Sequence, residues 1–338
     1  MSRAFRFVAV ALALLLAGPL LAAYRAHAAD KVTVTYASFD ALYAPYFLAR
    51  DKGYFASQGL DVELMQAGGG TSTPALISGS VQFSSSSGSA ITAILKGAKL
   101  KVVMTLAVSL PWKLWATSPD IKTLTDLKGK QVGVETTGGL DELAMRAALM
   151  KAGLPQDYVA YNPIGVGGAQ RIAIMEHAAL PAIFLSYIEE RIARQRGALA
   201  HGHVLIDFPH DLKMPYNGLA TSQALIDSNP DLVRRFVTGV VMGMREMKAD
   251  RAATLAAMQP YAKNTNVKTL SEALDDTTPT VLEKAEATVD ERQFDLQLRG
   301  SMVKLSNSAL PPLDRVYDYS FVEQAIAALD KKGWKPEK

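Results

Sequence analysis

Cysteine is absent from all 338 residues. That excludes disulfides, thiolate nucleophiles and an N-terminal lipidated cysteine. Net charge is nearly absent as well. The formal +3 is carried by Arg3, Arg6 and Arg25, because residues 1–28 contain no acid, and the remainder holds 33 basic and 33 acidic residues. A neutral chain without a basic run offers no electrostatic footprint for nucleic acid. Motifs for enzyme chemistry are missing too. There is no Gly-x-Ser-x-Gly elbow, HExxH or phosphate loop, and Gly165-Val166-Gly167-Gly168-Ala169-Gln170 ends in Gln, which fails the dinucleotide fingerprint. His201-x-His203 and His210 lie in a loop without a nearby carboxylate-rich set, so solvated histidines are expected rather than a metal site.

One long apolar run is present, at the start. Arg3 and Arg6 precede the unbroken run Phe7–Ala17, Gly18-Pro19 breaks it, and Ala26-His27-Ala28 fits a small-x-small cleavage pattern. Residues 1–28 therefore read as a secretory signal cut before Ala29, since the run is short for a span of ~20 residues. The expected product is a freely diffusing protein outside the cytoplasm and not a lipoprotein. Its length of about 310 residues exceeds the usual single core, so two lobes are expected.

Strands alternate with helices along the chain. Val32–Tyr36, Leu60–Met65 and Val81–Ser84 read as strands, each followed by a helix, and Val102–Leu106 and Leu114–Ala116 as further strands. The pattern restarts at Gln131–Val134, Tyr158–Asn162, Ala182–Leu185 and Val204–Ile206, as an echo of the first set. From Leu219–Thr221 the chain is mostly helical, with Asp231–Lys248 its longest helix. Such alternation predicts an α/β protein, each lobe a mixed, mostly parallel sheet with helices on both faces. The expected division is 29–116 with 222–338 as the first lobe and 117–221 as the second, joined by crossings near Trp115–Ser118 and Tyr216–Thr221. The late helices are expected to cover the first lobe.

Val32–Val103 resembles the first lobe of substrate-binding proteins of ABC importers, of the taurine/nitrate/aliphatic-sulfonate type and its thiamine-precursor-like relatives. Asp51-Lys52-Gly53-Tyr54-Phe55 with Gly59-Leu60-Asp61-Val62 carries the likeness, together with Leu124–Val134 and Asn229–Phe236. The resemblance implies a two-lobed periplasmic-binding-protein fold, type II-like, with a small ligand in the interlobe cleft and delivery to ABC permease membrane subunits. It implies no enzyme activity, no cofactor and a monomer. One segment departs from the family pattern: Pro181, in His177–Ala182, stands where an Asp is usual.

Candidate ligand contacts fall at the carboxyl ends of strands, where open α/β sheets bind ligands. They are Ser38, Phe39, Asp40 and Tyr43 after the first strand, Thr71, Ser72 and Thr73 after the second, and Ser87, Gly88 and Ser89 after the third. Thr136, Thr137, Gly138 and Gly167 occupy matching places in the second lobe, and Tyr187 and Glu189 follow its buried strand. Hydroxyls and free N–H groups at helix starts hold a sulfonate, nitrate or carboxylate, and equally act as helix caps. Asp40 divides the ligand classes: as a contact it repels a simple anion and accepts from an amine, as in taurine or an aminopyrimidine; as a cap it does neither. Arg171 could add a charge to the site, although a solvated helical arginine is the stronger expectation. The expected ligand is a small organic anion or zwitterion, such as a sulfonate, taurine or an aromatic acid. The alternatives are a pyrimidine or thiamine precursor on the same scaffold, or an exported enzyme on this fold.

Overall fold

The computed structural model describes residues 28–37, 40–135, 137–165, 168–262, 265–303, 305 and 309–336. The expected export segment lies outside them apart from Ala28, as do Ser38, Phe39, Thr136 and Gly167. In chain order the strands are β1 (Asp30–Tyr36), β2 (Leu60–Gln66), β3 (Phe83–Ser84), β4 (Leu100–Ser109), β5 (Trp112–Ala116), β6 (Gln131–Val134), β7 (Ala160–Pro163), β8 (Ala182–Ser186), β9 (His203–Asp207) and β10 (Lys213–Ser222). The helices of eight residues or more are α1 (Ala44–Asp51), α2 (Gly69–Ser78), α3 (Ser87–Leu95), α4 (Leu140–Lys151), α5 (Gly168–His177), α6 (Tyr187–Gln195), α7 (Pro230–Ala249), α8 (Arg251–Met258), α9 (Val267–Thr277), α10 (Val289–Val303) and α11 (Ser320–Lys331). Among the described residues no helix is long and apolar enough to cross a membrane.

The strands form two five-stranded sheets, ordered β2-β1-β3-β10-β4 and β7-β6-β8-β5-β9. Val32 pairs with Val62 and Val34 with Phe83 in parallel, so alternate apolar side chains of β1 enter the core beneath α1. The echo in the sequence is an echo in topology. In each sheet a single strand, β10 or β5, runs against both its neighbours, and it comes from the far side of a chain crossing.

Those crossings correct the expected lobe boundaries. Trp112–Ala116 pairs with β8 and β9 in the second sheet, so the chain leaves the first sheet between Ser109 and Trp112. It returns between Asp207 and Lys213, which places the whole of β10 in the first sheet. Gly218 is required there, because a Cβ would come within 2.4 Å of the Met104 carbonyl oxygen and 3.1 Å of Ser87 Oγ. At the departure from the family pattern, the Pro181 carbonyl accepts from Thr117 N–H at 3.1 Å, securing the edge of β8.

The family-bearing stretch Lys52–Phe55 is a docking device. Gly53 has φ +71°, the left-handed conformation that glycine adopts without penalty. The turn it makes sends Tyr54 and Lys52 to the fully buried Glu246 of α7, at 2.6 and 3.0 Å. Phe55 stacks on Phe236 at 4.9 Å between centroids. Its ring also fills the space left by Gly239, where a Cβ would meet Phe55 Cδ1 at 2.5 Å.

The late helices do more than cover the first lobe. α10 is shared: Leu296 belongs to the core of the first lobe and Leu298 to that of the second, against which Phe294 and Met302 also pack. Arg299 on the same helix grips Asp295 at 2.8 and 2.9 Å and donates to the Gly88 carbonyl at 3.0 Å, tying α10 to the start of α3.

Candidate functional site between the two sheets

The loop after β1 turns at Asp40, whose Oδ1 accepts from Leu42 N–H at 2.8 Å and caps the 3₁₀ turn Ala41–Tyr43. The cap does not exhaust this carboxylate. Burial raises the Asp40 pKa, the Glu189 charge raises it further, and the Leu42 N–H and the Tyr216 phenol oppose the shift. Glu189 is carried by the other lobe. It closes a capping box at the start of α6, accepting from Ser186 N–H at 2.8 Å while its own N–H donates to Ser186 Oγ at 3.3 Å. Asp40 and Glu189 are thus caps of two helical segments that confront each other across the lobes.

Around them stand Tyr43, Tyr216 and Glu135. Tyr43 is buried, and burial pushes its phenol up, with the Asp40 charge adding to the effect. Tyr216, on the returning strand β10, is shifted well up by burial, then by the charges of Asp40, Tyr43 and Glu135. Its ring meets Trp112 edge-on at 5.3 Å. Glu135, at the end of β6, is raised by burial, with Asp141 and Glu189 adding and Arg171 opposing.

Arg171 corrects its expectation. It is 3% exposed rather than solvated, and its guanidinium faces three carboxylates: Asp141 at 3.3 Å, Glu135 at 3.5 Å and Glu189 at 3.8 Å. Asp141 is saturated, accepting also from the N–H groups of Glu135 at 2.5 Å and Glu142 at 3.0 Å. Glu135 is not: it takes one long contact from Arg171 and leaves 35% of its side chain exposed. Asp40 adds a further carboxylate that feels the Glu189 charge, so the walls are acidic.

Buried polar atoms gather beside this cluster. Thr35 Oγ1, Thr73 Oγ1, Ser86 Oγ and Asn217 Oδ1 are buried without hydrogen-bond partners among the described residues. Thr35 and Ser84 are in register at the carboxyl end of β1 and β3, and Ser86 follows there. An unmatched buried polar atom costs about 1–3 kcal/mol, so a grouping of them at one sheet end is characteristic of a polar ligand's seat.

The other expected residues are spread more widely. Ser72 is buried and accepts from Ser84 Oγ at 3.2 Å, whereas Thr71 and Ser89 are exposed. Ser87 packs on Gly218, and the Gly88 carbonyl is taken by Arg299. Thr137 and Gly138 lie in an exposed turn, where Gly138 N–H donates to Glu142 Oε2 at 2.8 Å. Tyr187 is half-buried, pushed up to about 12 by burial and then by the charges of Asp207, Asp276 and Asp40. It lines a cavity of about 550 Å³ between the lobes, with Lys113, Arg191, Lys213 and Asp276. The carboxylate cluster and this cavity are neighbouring places, with Tyr187 the expected residue that lines the cavity. Among the described residues no group of three or more acids and histidines is placed to hold a metal.

Glu135, Arg171, Tyr216 and Asn217 were not among the expected contacts. Glu135 and Tyr216 end or cross strands, the one positional signal that singles them out. The sequence around Arg171 shows only a helix, whereas its carboxylate partners lie on other elements, at Glu135, Asp141 and Glu189.

Known proteins share this architecture. The periplasmic aliphatic sulphonate binding protein SsuA of Escherichia coli superposes with a TM-score of 0.67 at 18% identity, over 86% of this chain and 92% of that one. The desulfurization enzyme DszB superposes with a TM-score of 0.61 at 14% identity, over 88% and 99%. At such identities the likeness is one of fold, and both neighbours have the two-lobed binding-protein architecture seen here. The riboflavin-binding protein RibY of Chloroflexus aurantiacus is 30% identical over 218 residues, which span 62% of this chain and 59% of RibY. The family model described as NMT1/THI5 like matches residues 41–253, from the Asp40-capped turn through the two sheets to α8. That match covers more than half of the chain, which therefore belongs to the NMT1/THI5-like family.

Proposed function

We propose that the protein is the exported solute-binding component of an ABC importer. It captures one small polar molecule between its lobes and presents the closed form to a membrane permease. The fold and family support binding. The carboxylate-rich walls, Asp40 facing the Glu189 charge and Glu135 sharing Arg171 with Glu189, carry the choice of ligand. Such walls disfavour a bare sulfonate or nitrate and favour a ligand that brings hydrogen-bond donors or a positive charge to Asp40. Among the expected ligands this selects a zwitterion such as taurine.

A second reading, a donor-bearing nitrogen heterocycle, is favoured by the aromatic groups Tyr43, Trp112 and Tyr216 beside the same carboxylates. A pyrimidine precursor belongs to this class, as does the flavin for which RibY is named. Catalysis is the weaker use of the fold here. The sequence has no thiol, and the candidate walls supply acceptors rather than a nucleophile beside a base.

A thermal-shift screen of the purified chain tests both readings. A ligand at a hundredfold its Kd stabilises by about 2.7 kcal/mol, a shift of a few degrees for a protein of this size. Taurine, aminopyrimidines and riboflavin are the compounds expected to raise Tm, and alkanesulfonates and nitrate are not. Recovery of the bound compound unchanged supports a binder. Stabilisation by alkanesulfonates alone would overturn the ligand class, and turnover would overturn the binding reading.

A further inference from the structure

We infer that Arg191 is an interlobe latch: a positioning residue whose ion pairs across the lobes hold the cleft shut. It lies on α6, whose Ala193 packs with Ile172, Ile183 and Leu185 in the second lobe. Its guanidinium crosses to α9, whose Leu270 and Leu274 belong to the core of the first lobe. There it meets Glu272 at 3.1 Å and Asp276 at 2.5 Å. One helical turn further along α6, Gln195 donates to Thr269 at 3.4 Å.

The two helices are those that carry or brace the candidate walls. α6 begins at Tyr187 and Glu189, and α9 packs against the 3₁₀ turn that Asp40 caps. Closing the lobes sets Asp40 against the Glu189 charge, an unfavourable term that the same closure must offset. Arg191 offsets it with two carboxylates of opposite sign, beside the interlobe cavity that Arg191 and Asp276 line and away from Asp40 and Glu189. Each of the three side chains is about one-third exposed, so the latch is weak, screened by salt and reversible. Those are the properties a closure contact needs if the lobes are to reopen and release a ligand.

This inference rests on the reading of the protein as a hinge-closing binder, and its test reads interlobe distance without any ligand. Because the chain has no cysteine, Lys96→Cys on the first lobe and Glu176→Cys on the second give one unambiguous spin-label pair on exposed sites. Dipolar distance measurement on the ligand-free protein should show a short population at low salt that shifts towards longer distances in 0.5 M salt, where the screening length is about 4 Å. Arg191→Met should give the long distribution at both salts, and Glu272→Gln with Asp276→Asn should reproduce it while leaving Arg191 in place. With a compound that stabilises the wild type, each variant should bind about three- to tenfold more weakly, the loss expected of one or two partly exposed ion pairs coupled to closure. Distances for both variants that match the wild type at both salts would overturn the latch. A wild type that no screened compound stabilises would count against the binder instead, and the distance result would still decide the latch.

Discussion

At the scale of the residue, Asp40 performs two tasks that substitution can separate. Asn keeps the oxygen that accepts from Leu42 N–H, so Asp40→Asn should leave the cap within about 0.5 kcal/mol, while Asp40→Ala should lose about 1 kcal/mol by chemical denaturation. Asp40→Asn should also abolish the thermal shift from a donor-bearing ligand, and an undiminished shift would assign Asp40 to the cap alone. The pH dependence has a definite sign. Burial raises the Asp40 pKa in the folded state, so its favourable contribution is complete below the unfolded value and is lost as pH rises through the folded one. Denaturant unfolding at a series of pH values should therefore find Asp40→Asn gaining on the wild type as pH rises above the ordinary carboxylate range. Arg171 works in the opposite direction, as the one described cation among three carboxylates. Arg171→Met leaves buried charge uncompensated and should destabilise by about 3–5 kcal/mol in urea unfolding. Asp40 was legible in the sequence as a short polar residue ahead of a helix. Arg171 was not, because its burial is decided by Asp141 and Glu189, which approach it only once β6 and β8 are paired.

Secondary structure followed the sequence closely at the scale of the element, and for a physical reason. The period-2 pattern of β1 and the 3.6-residue pattern of α7 each depend on residues a few places apart, and burial enforces both. The lobe assignment of β5 had no such local signal. Only Leu110-Pro111 separates β4 from β5, both strands are apolar, and the choice of sheet lies with β8 and β9, far downstream at Ala182–Ser186 and His203–Asp207. The Lys52–Phe55 motif was legible as a family mark but not as a mechanism, because its partners Phe236, Gly239 and Glu246 lie on α7. Phe55→Ala, which removes the ring stacked on Phe236, should cost about 3–5 kcal/mol. Gly243 has a comparable role further along α7, where a Cβ would stand 2.0 Å from the Pro45 carbonyl oxygen. Backbone cannot yield as a side-chain tip does, so Gly243→Ala should force α7 and α1 apart and lower stability by about 1–3 kcal/mol, read from the urea midpoint.

For the whole molecule, the echo between the two halves was visible as a repeated strand–helix rhythm, and the structure gives it a reason: each sheet borrows its antiparallel strand from beyond a crossing. Two strand crossings alone would make a simple pair of hinges. α10 adds a third connection. Leu296 and Leu298 are two positions apart on a helix, about 200° around its axis, and so point to opposite sides, each held by a different core. The lobes accordingly hang on α10 as two leaves hang on a pin. A full gape would strip one of those leucines of its core, so the lobes should instead swing about the helix, opening at the rim where α6 meets α9. Under the proposed function, a solute would then enter and leave by that single doorway, leaving one edge of the molecule to report whether it is shut.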